Sequence, residues 1–328
     1  MINDNRLEAI KASLEQHIQQ LDLKGNPPEL YDPIIYLMSL GGKRIRPLLT
    51  VLAYGLYKED YQKILTPAAA IEVFHNFTLM HDDIMDNAPL RRGKATVHEK
   101  WNNNTAILSG DVMLVKAYEL LLSIEADKLK ESIQLFSKTA AEVCEGQQLD
   151  MNFESLETVS EEEYLDMIRL KTAVLLGFAL QLGAVLAGAS RADASHLYDF
   201  GVNIGIGFQL KDDLLDVYAD KEKFGKQVGG DILANKKTYL LVKARELATG
   251  EEKKNLQQWI DAETFDPEEK VQGVRAIYDK LEIKEKSMQL MADYFEKGFN
   301  QLSNLKVKKP EALQLLWGLT HNLANRDK

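Results

Sequence analysis

The chain reads as an all-helical protein of one domain, on three observations. Its 328 residues include only 20 Gly and 8 Pro. Proline falls at 27, 28, 33, 47, 67 and 89 and not again until 267, so residues 90–266 hold no obligatory helix breaker. That stretch is rich in Ala, Leu, Glu, Lys and Gln, which favours long helices joined by short turns. Strand signals are nearly absent, with no alternating β-branched run bounded by Asn-Gly or Asp-Gly.

Taken in order, residues 4–22 place Leu7, Ile10, Leu14, Ile18 and Leu21 at three- and four-residue steps, the stripe of an amphipathic helix. Helices are expected over 29–40 and 44–57, parted by Gly41-Gly42, and over 67–86. Others follow over 105–122, 128–152, 161–188, 193–218, 236–249, 252–261, 267–280, 282–303 and 310–324. Glycines near 25, 110, 188 and 250 mark ends or turns. No Ser/Gly/Pro-rich linker divides the chain, so a single domain over residues 1–328 is expected.

Composition narrows the function. At 45 % hydrophobic and 27 % charged, the chain sits near globular averages, which excludes disordered and collagen-like classes. The net charge of −10 with no basic run argues against a nucleic-acid partner. An anionic substrate would therefore have to be held by local Lys/Arg clusters or by a metal. Cys144 is the only cysteine, which rules out an internal disulfide and fits a reducing, cytoplasmic location. The amino-terminal segment is polar and helical in period, unlike a secretory signal. Residues 172–189 carry no formal charge, but Gln181, Gly177, Gly183 and Gly188 lie among them and no aromatic belt flanks them. They read as a core helix, and no transmembrane segment is expected.

Two aspartate clusters carry the chemistry. TLMHDDIMD at 78–86 aligns without gaps on FQLKDDLLD at 208–216. On a helix, Asp82 and Asp86 share a face, as do Asp212 and Asp216, while Asp83 and Asp213 point about 100° away. Like charges on one face among apolar neighbours destabilise one another unless cations, protonation or a metal neutralise them. Carboxylate oxygens at this spacing suit Mg²⁺, which takes one or two carboxylates together with substrate phosphate oxygens. A lone DDxxD is a weak signal, but two in matching apolar contexts are not.

Basic residues lie near both clusters. GGKRIRP at 41–47 puts Lys43 and Arg46 three apart, on one face of a helix opening after Gly41-Gly42, with Arg44 between them. Arg91-Arg92-Gly93 forms a turn with two guanidiniums suited to bidentate phosphate contacts. His75 precedes Asp82 by seven residues, on nearly the same helix face. Lys171-Thr172 opens the charge-free helix, and Lys226, Asp231 and Lys236 follow the second cluster.

GGKRIRP, HDDIMD followed by LRRG, KT, FQLKDD with LLD, GK and DILANKKT together resemble the trans-isoprenyl diphosphate synthases, the polyprenyl synthetase family. The matching segments run from about 41 to 239, and the chain's ends carry no diagnostic motif. The resemblance implies the isoprenoid synthase type of fold, a single-domain bundle of long antiparallel helices around a central cavity, and a homodimer. It implies condensation of isopentenyl diphosphate with an allylic diphosphate. Three Mg²⁺ ions would be held by Asp82, Asp83, Asp86, Asp212, Asp213 and Asp216. The allylic diphosphate's other ligands match Arg91, Lys171, Lys226 and Lys236, and the isopentenyl diphosphate site matches Lys43, Arg46, His75 and Arg92. Thr172 and Gln209 match residues whose dipoles face the developing cation, with Gln147 and Asp150 as a supporting shell. The family's usual proton acceptor is the released diphosphate.

In this family the tail grows past the residues before the first aspartates. Phe77 stands five before Asp82, about 7.5 Å down the axis. Thr78 is small, and Phe74 lies one turn further. This pattern resembles short-chain synthases, the geranylgeranyl type first and the farnesyl type second. A class I terpene cyclase would lack the second DDxxD and GGKRIRP. A non-catalytic subunit of a heteromeric synthase would have lost aspartates or basic residues that this chain keeps.

Overall fold

Helix follows helix along the chain. A computed structural model describes residues 2–219 and 229–325. In the first part, α1 (Ile2–Gln19), α2 (Pro28–Ser39) and α3 (Ile45–Gly55) lead through a 3₁₀ turn (Tyr61–Ile64) into α4 (Leu65–Met85). A two-stranded antiparallel hairpin, β1 (Leu90–Arg91) and β2 (Lys94–Ala95), and α5 (Val97–Lys100) precede α6 (Asn103–Leu121). Then come α7 (Ala126–Ser155), α8 (Glu161–Ile168), a π-helical turn (Arg169–Ala173), α9 (Val174–Ala187) and α10 (Arg191–Tyr218). The last elements are α11 (Gly230–Leu233), α12 (Tyr239–Leu247), α13 (Gly250–Asp261), α14 (Pro267–Lys280), α15 (Ile283–Leu302) and α16 (Pro310–Asn325).

These elements form two compact units, each assembled from three stretches of chain. The first comprises Met1–Lys138, Phe178–Tyr198 and Asn304–Trp317. Its centre is α4, where Ala68, Ala69, Ala70, Ile71, Val73 and Phe74 are all fully buried. α6 makes the most extensive packing against it. The second comprises Thr139–Gly177, Asp199–Ser303 and Gly318–Lys328. One of its apolar clusters gathers Val217, Ile232, Leu240, Ala244 and Tyr278, and another gathers Phe153, Tyr164, Ile206, Leu210 and Tyr239. The run Glu161–Ala187 is long and apolar enough to cross a membrane, yet 83 % of its apolar window is buried inside the protein.

Four sequence expectations need correction. The helix expected over 44–57 starts only at Ile45, because Arg44 adopts a left-handed backbone (φ 47°). Lys43 therefore lies in the preceding loop and does not share a helix face with Arg46. The expected helix 161–188 contains the π-helical turn, so Lys171 and Thr172 sit inside a helical run and do not open it. That turn is tightly packed: a Cβ on Gly146 of α7 would collide with the backbone at Leu170 and Lys171. Lys236 precedes its helix, which begins at Tyr239. The hairpin was not expected at all. Its turn places Arg92 (φ 54°) and Gly93 (φ 75°) at positive φ, as a type I′ turn requires. Two-residue strands are too short to show alternation in a sequence.

Candidate functional site

Within the first unit, the structure gathers residues that the sequence scatters over fifty positions. Arg46, in the first turn of α3, donates from Nη1 to His75 Nε2 at 3.1 Å. A guanidinium can only donate, so this imidazole accepts at Nε2 and carries its proton on Nδ1. His75 is held well below its usual pKa by burial first, then by the charges of Arg46, Arg92, Arg91 and Arg44. It is a neutral donor aimed from a basic cluster. Arg92 donates to Gly41 O, and a Cβ on Gly42 would lie 2.9 Å from its Nη2. The Gly-Gly pair is thus required both by its positive φ angles (75° and 144°) and by the guanidinium against it. Arg46 Nε is a buried donor without a partner among the described residues. Lys43 is exposed beside these groups in sequence. The arrangement suits a polyanion.

The first aspartate triplet divides by direction, as helical geometry demands. Asp83 is buried and takes three contacts from Arg91: Nε at 2.9 and 2.8 Å, and Nη2 at 2.7 Å. Asp82 is half-buried, 3.8 Å from Arg91 Nη2, and Asp86 is exposed at the C-cap of α4.

The second triplet, in the other unit, divides the same way. Asp213 is buried, accepting from Tyr164 OH at 2.5 Å and from the Tyr239 backbone N–H at 3.1 Å. Burial pushes its carboxyl up to about 7 despite those two donors. Asp212 is exposed, and half-buried Asp216 accepts from Asp231 N–H at 3.0 Å. Asp231 is pushed up to about 6, by burial first, then by the charge of Asp216, with Asp150 and Asp212 adding to it. Lys171, in the π-helical turn, pairs with Asp150 at 2.6 Å. Gln209 lies one helical turn ahead of Asp212 on α10, and both Thr172 and Gln209 are half-buried. Lys226 lies outside the described residues.

Does this donor set fit Mg²⁺? The ligating atoms are all hard carboxylate oxygens. The acids of the second unit are crowded as well as buried: burial raises Asp231 first, and the charge of Asp216 adds to it. Asp82 with Asp86, and Asp212 with Asp216, fit the ion. No group of three or more His, Cys, Asp or Glu side chains is already assembled for a metal among the described residues. Asp83 is paired with Arg91 through both of its oxygens, whereas Asp213 accepts from Tyr164 and Tyr239 on Oδ2 alone.

Phe77, expected to limit the product, is buried and packs on Phe74 (ring centroids 5.5 Å apart) and His81 (4.8 Å). Phe74 packs in turn on Phe136 (5.1 Å), which also meets Tyr118 (4.8 Å) and Phe178 (5.7 Å). Thr78 spends its hydroxyl on His75 O at 2.8 Å. Sequence reasoning missed Tyr118, Phe136 and Phe178, and also Tyr164, which is 49 residues from Asp213 and carried no local signal. It missed Glu72 as well, although one acid within the apolar run PAAAIEVF was a visible anomaly.

The polyprenyl synthetase family model matches residues 27–280. The chain is 39 % identical over 283 residues to a short chain isoprenyl diphosphate synthase of Methanocaldococcus jannaschii, covering 86 % of this chain and 84 % of that one. It is 45 % identical over 222 residues to a geranylgeranyl diphosphate synthase of Methanosarcina mazei, covering 67 % and 68 %. A crystal structure of a geranylgeranyl pyrophosphate synthase superposes with a TM-score of 0.93 at 41 % identity, covering 98 % of this chain and 99 % of that one.

Proposed function

The chain belongs to the polyprenyl synthetase family and is a prenyltransferase, and from that premise we propose that it condenses isopentenyl diphosphate with an allylic diphosphate to give a short-chain prenyl diphosphate and diphosphate. The geranylgeranyl product is favoured and farnesyl is second. The observation that carries the reading is the basic cluster of the first unit, where Arg46 meets His75 and Arg92 meets Gly41. Arg46, His75 and Arg92, together with Lys43, are the residues expected to bind isopentenyl diphosphate.

The family is generally Mg²⁺-dependent. In this reading Asp82, Asp83, Asp86, Asp212, Asp213 and Asp216 would hold Mg²⁺, three ions being the number the family resemblance implies. Bound Mg²⁺ supplies positive charge to the departing diphosphate. Arg91, Lys171, Lys226 and Lys236, matched by the family resemblance to the allylic diphosphate, would add positive charge to the leaving group, so the allylic C–O bond ionises. The hydroxyl of Thr172 and the amide oxygen of Gln209 turn their dipoles toward the carbocation. The isopentenyl double bond attacks it, and the released diphosphate takes the proton. Apolar walls exclude water from the cation. Phe77, backed by Phe74, limits the tail, and Thr78 leaves room beside it.

The test is incubation with Mg²⁺, isopentenyl diphosphate and the five-, ten- and fifteen-carbon allylic primers in turn, with products read by mass spectrometry. A twenty-carbon diphosphate is expected as the main product. No condensation with any primer overturns the reading.

A single domain over 1–328 remains part of the proposal, since each unit draws on chain segments that alternate in sequence. A cytoplasmic location is supported by the single free cysteine, Cys144. A homodimer is supported by α6 and its C-cap, where Leu108, Val115 and Leu122 repeat every seven residues and are 57 %, 55 % and 62 % exposed. Light scattering is expected to give the mass of two chains. Leu108→Glu with Val115→Glu is expected to give one, and a dimeric double variant places the interface elsewhere.

A further inference from the structure

Arg44 sits between two residues expected to bind isopentenyl diphosphate, yet its side chain is taken up by other helices. It is 8 % exposed. Its Nη1 donates to Glu72 Oε1 of α4 at 2.8 Å, its Nε to Glu15 Oε2 of α1 at 3.1 Å, and its Nη2 to Met38 O of α2 at 2.9 Å. One side chain thus ties three helices to a single backbone position. Glu72 is 2 % exposed and also accepts from Asn76 Nδ2 at 3.3 Å.

The backbone at that position is left-handed, φ 47° and ψ 37°, which is unfavourable for a residue with a long side chain. Such a conformation persists only where its surroundings over-determine it. Here the determinants are charge-assisted hydrogen bonds to two carboxylates, among the strongest a side chain can make. The consequence lies on either side. With Arg44 left-handed, the helix cannot extend upstream, so Lys43 leaves the face it would have shared with Arg46. Gly41 is carried to where its carbonyl meets Arg92, and Arg46 starts the helix against His75. The buried carboxylate also offsets the crowding of guanidiniums, since its charge acts on both Arg46 and Arg92.

We infer that Arg44, clamped by buried Glu72, is the positioning residue that shapes the Gly41–Gly42–Lys43 loop into the isopentenyl-diphosphate subsite. The inference rests on the function proposed above. It separates Arg44 from its neighbours, because Lys43 and Arg46 act on the ligand and Arg44 acts through them.

The test compares three variants with the wild type. Arg44→Lys keeps the charge but loses the fork that reaches three acceptors. Arg44→Met with Glu72→Gln removes both members of the buried ion pair together. Glu15→Gln weakens one arm at a partly exposed carboxylate. KM is measured separately for isopentenyl diphosphate and for the allylic primer, and isopentenyl diphosphate binding is measured by calorimetry without primer. The first two variants are expected to raise both KM and Kd for isopentenyl diphosphate about tenfold, about 1.4 kcal/mol. Glu15→Gln is expected to raise them about threefold. In all three the allylic KM stays within about twofold, a selectivity that general loosening of the fold would not produce. Equal rises in both KM values overturn the inference. So does an unchanged isopentenyl KM in any folded variant of the first two, or in Glu15→Gln should those two fail to fold. A wild type that condenses nothing overturns the proposed function instead, and calorimetry still reads the clamp.

Discussion

Asp82→Asn and Asp212→Asn are each expected to lower the condensation rate by about two to three orders of magnitude, the loss typical when a group stabilising transition-state charge is removed. Stability should barely change. Asp82 is half-buried at the last turn of α4 and Asp212 is exposed on α10, so neither substitution opens a cavity. Helical circular dichroism and the thermal midpoint should stay near wild type while turnover collapses. The middle aspartates supply the contrast. Asp83→Ala strands the guanidinium of Arg91, and Asp213→Ala strands the Tyr164 hydroxyl and the Tyr239 N–H, so these variants lose stability as well as rate. Full activity in Asp82→Asn or Asp212→Asn would falsify the metal reading of the two triplets.

Phe77→Ala is expected to shift the product to longer chains by one or more five-carbon units. Phe77 is 7 % exposed and packs its ring on Phe74, so its removal opens space one turn before the aspartates. The extension should be limited, because Phe74 is itself locked against Phe136, with Tyr118 and Phe178 behind it. Truncating a buried Phe costs about 3–5 kcal/mol, so the protein should also melt earlier. Phe77→Leu keeps more of the apolar contact and should move the product the same way with a smaller loss of stability. Mass spectrometry of the prenyl products decides it: an unchanged spectrum in both variants means that other residues stop the tail.

Local chemistry made much of this protein legible in advance. The helix over 267–280 was placed to the residue because its start is written locally: Pro267 suits the first helical position, and Asp266 caps the N–H groups of Glu268 and Glu269. The different directions taken by the first and second aspartates of each triplet followed from helical rotation alone. Arg44 was not legible, because its left-handed backbone is imposed by Glu15, Met38 and Glu72 from three other helices. The π-helical turn carrying Lys171 was hidden for a similar reason: it depends on how closely α7 can approach at Gly146.

Sequence by itself determined the helical class, the family and the identity of the charged residues, since propensity, periodicity and motif spacing are properties of neighbouring residues. Tertiary structure alone decided which partners those charges find. Arg44 and Arg46 are two residues apart in one motif, yet one is spent on Glu72 and Glu15 while the other joins His75. A buried charge must find a partner, and the partner is chosen by packing between helices rather than by position along the chain.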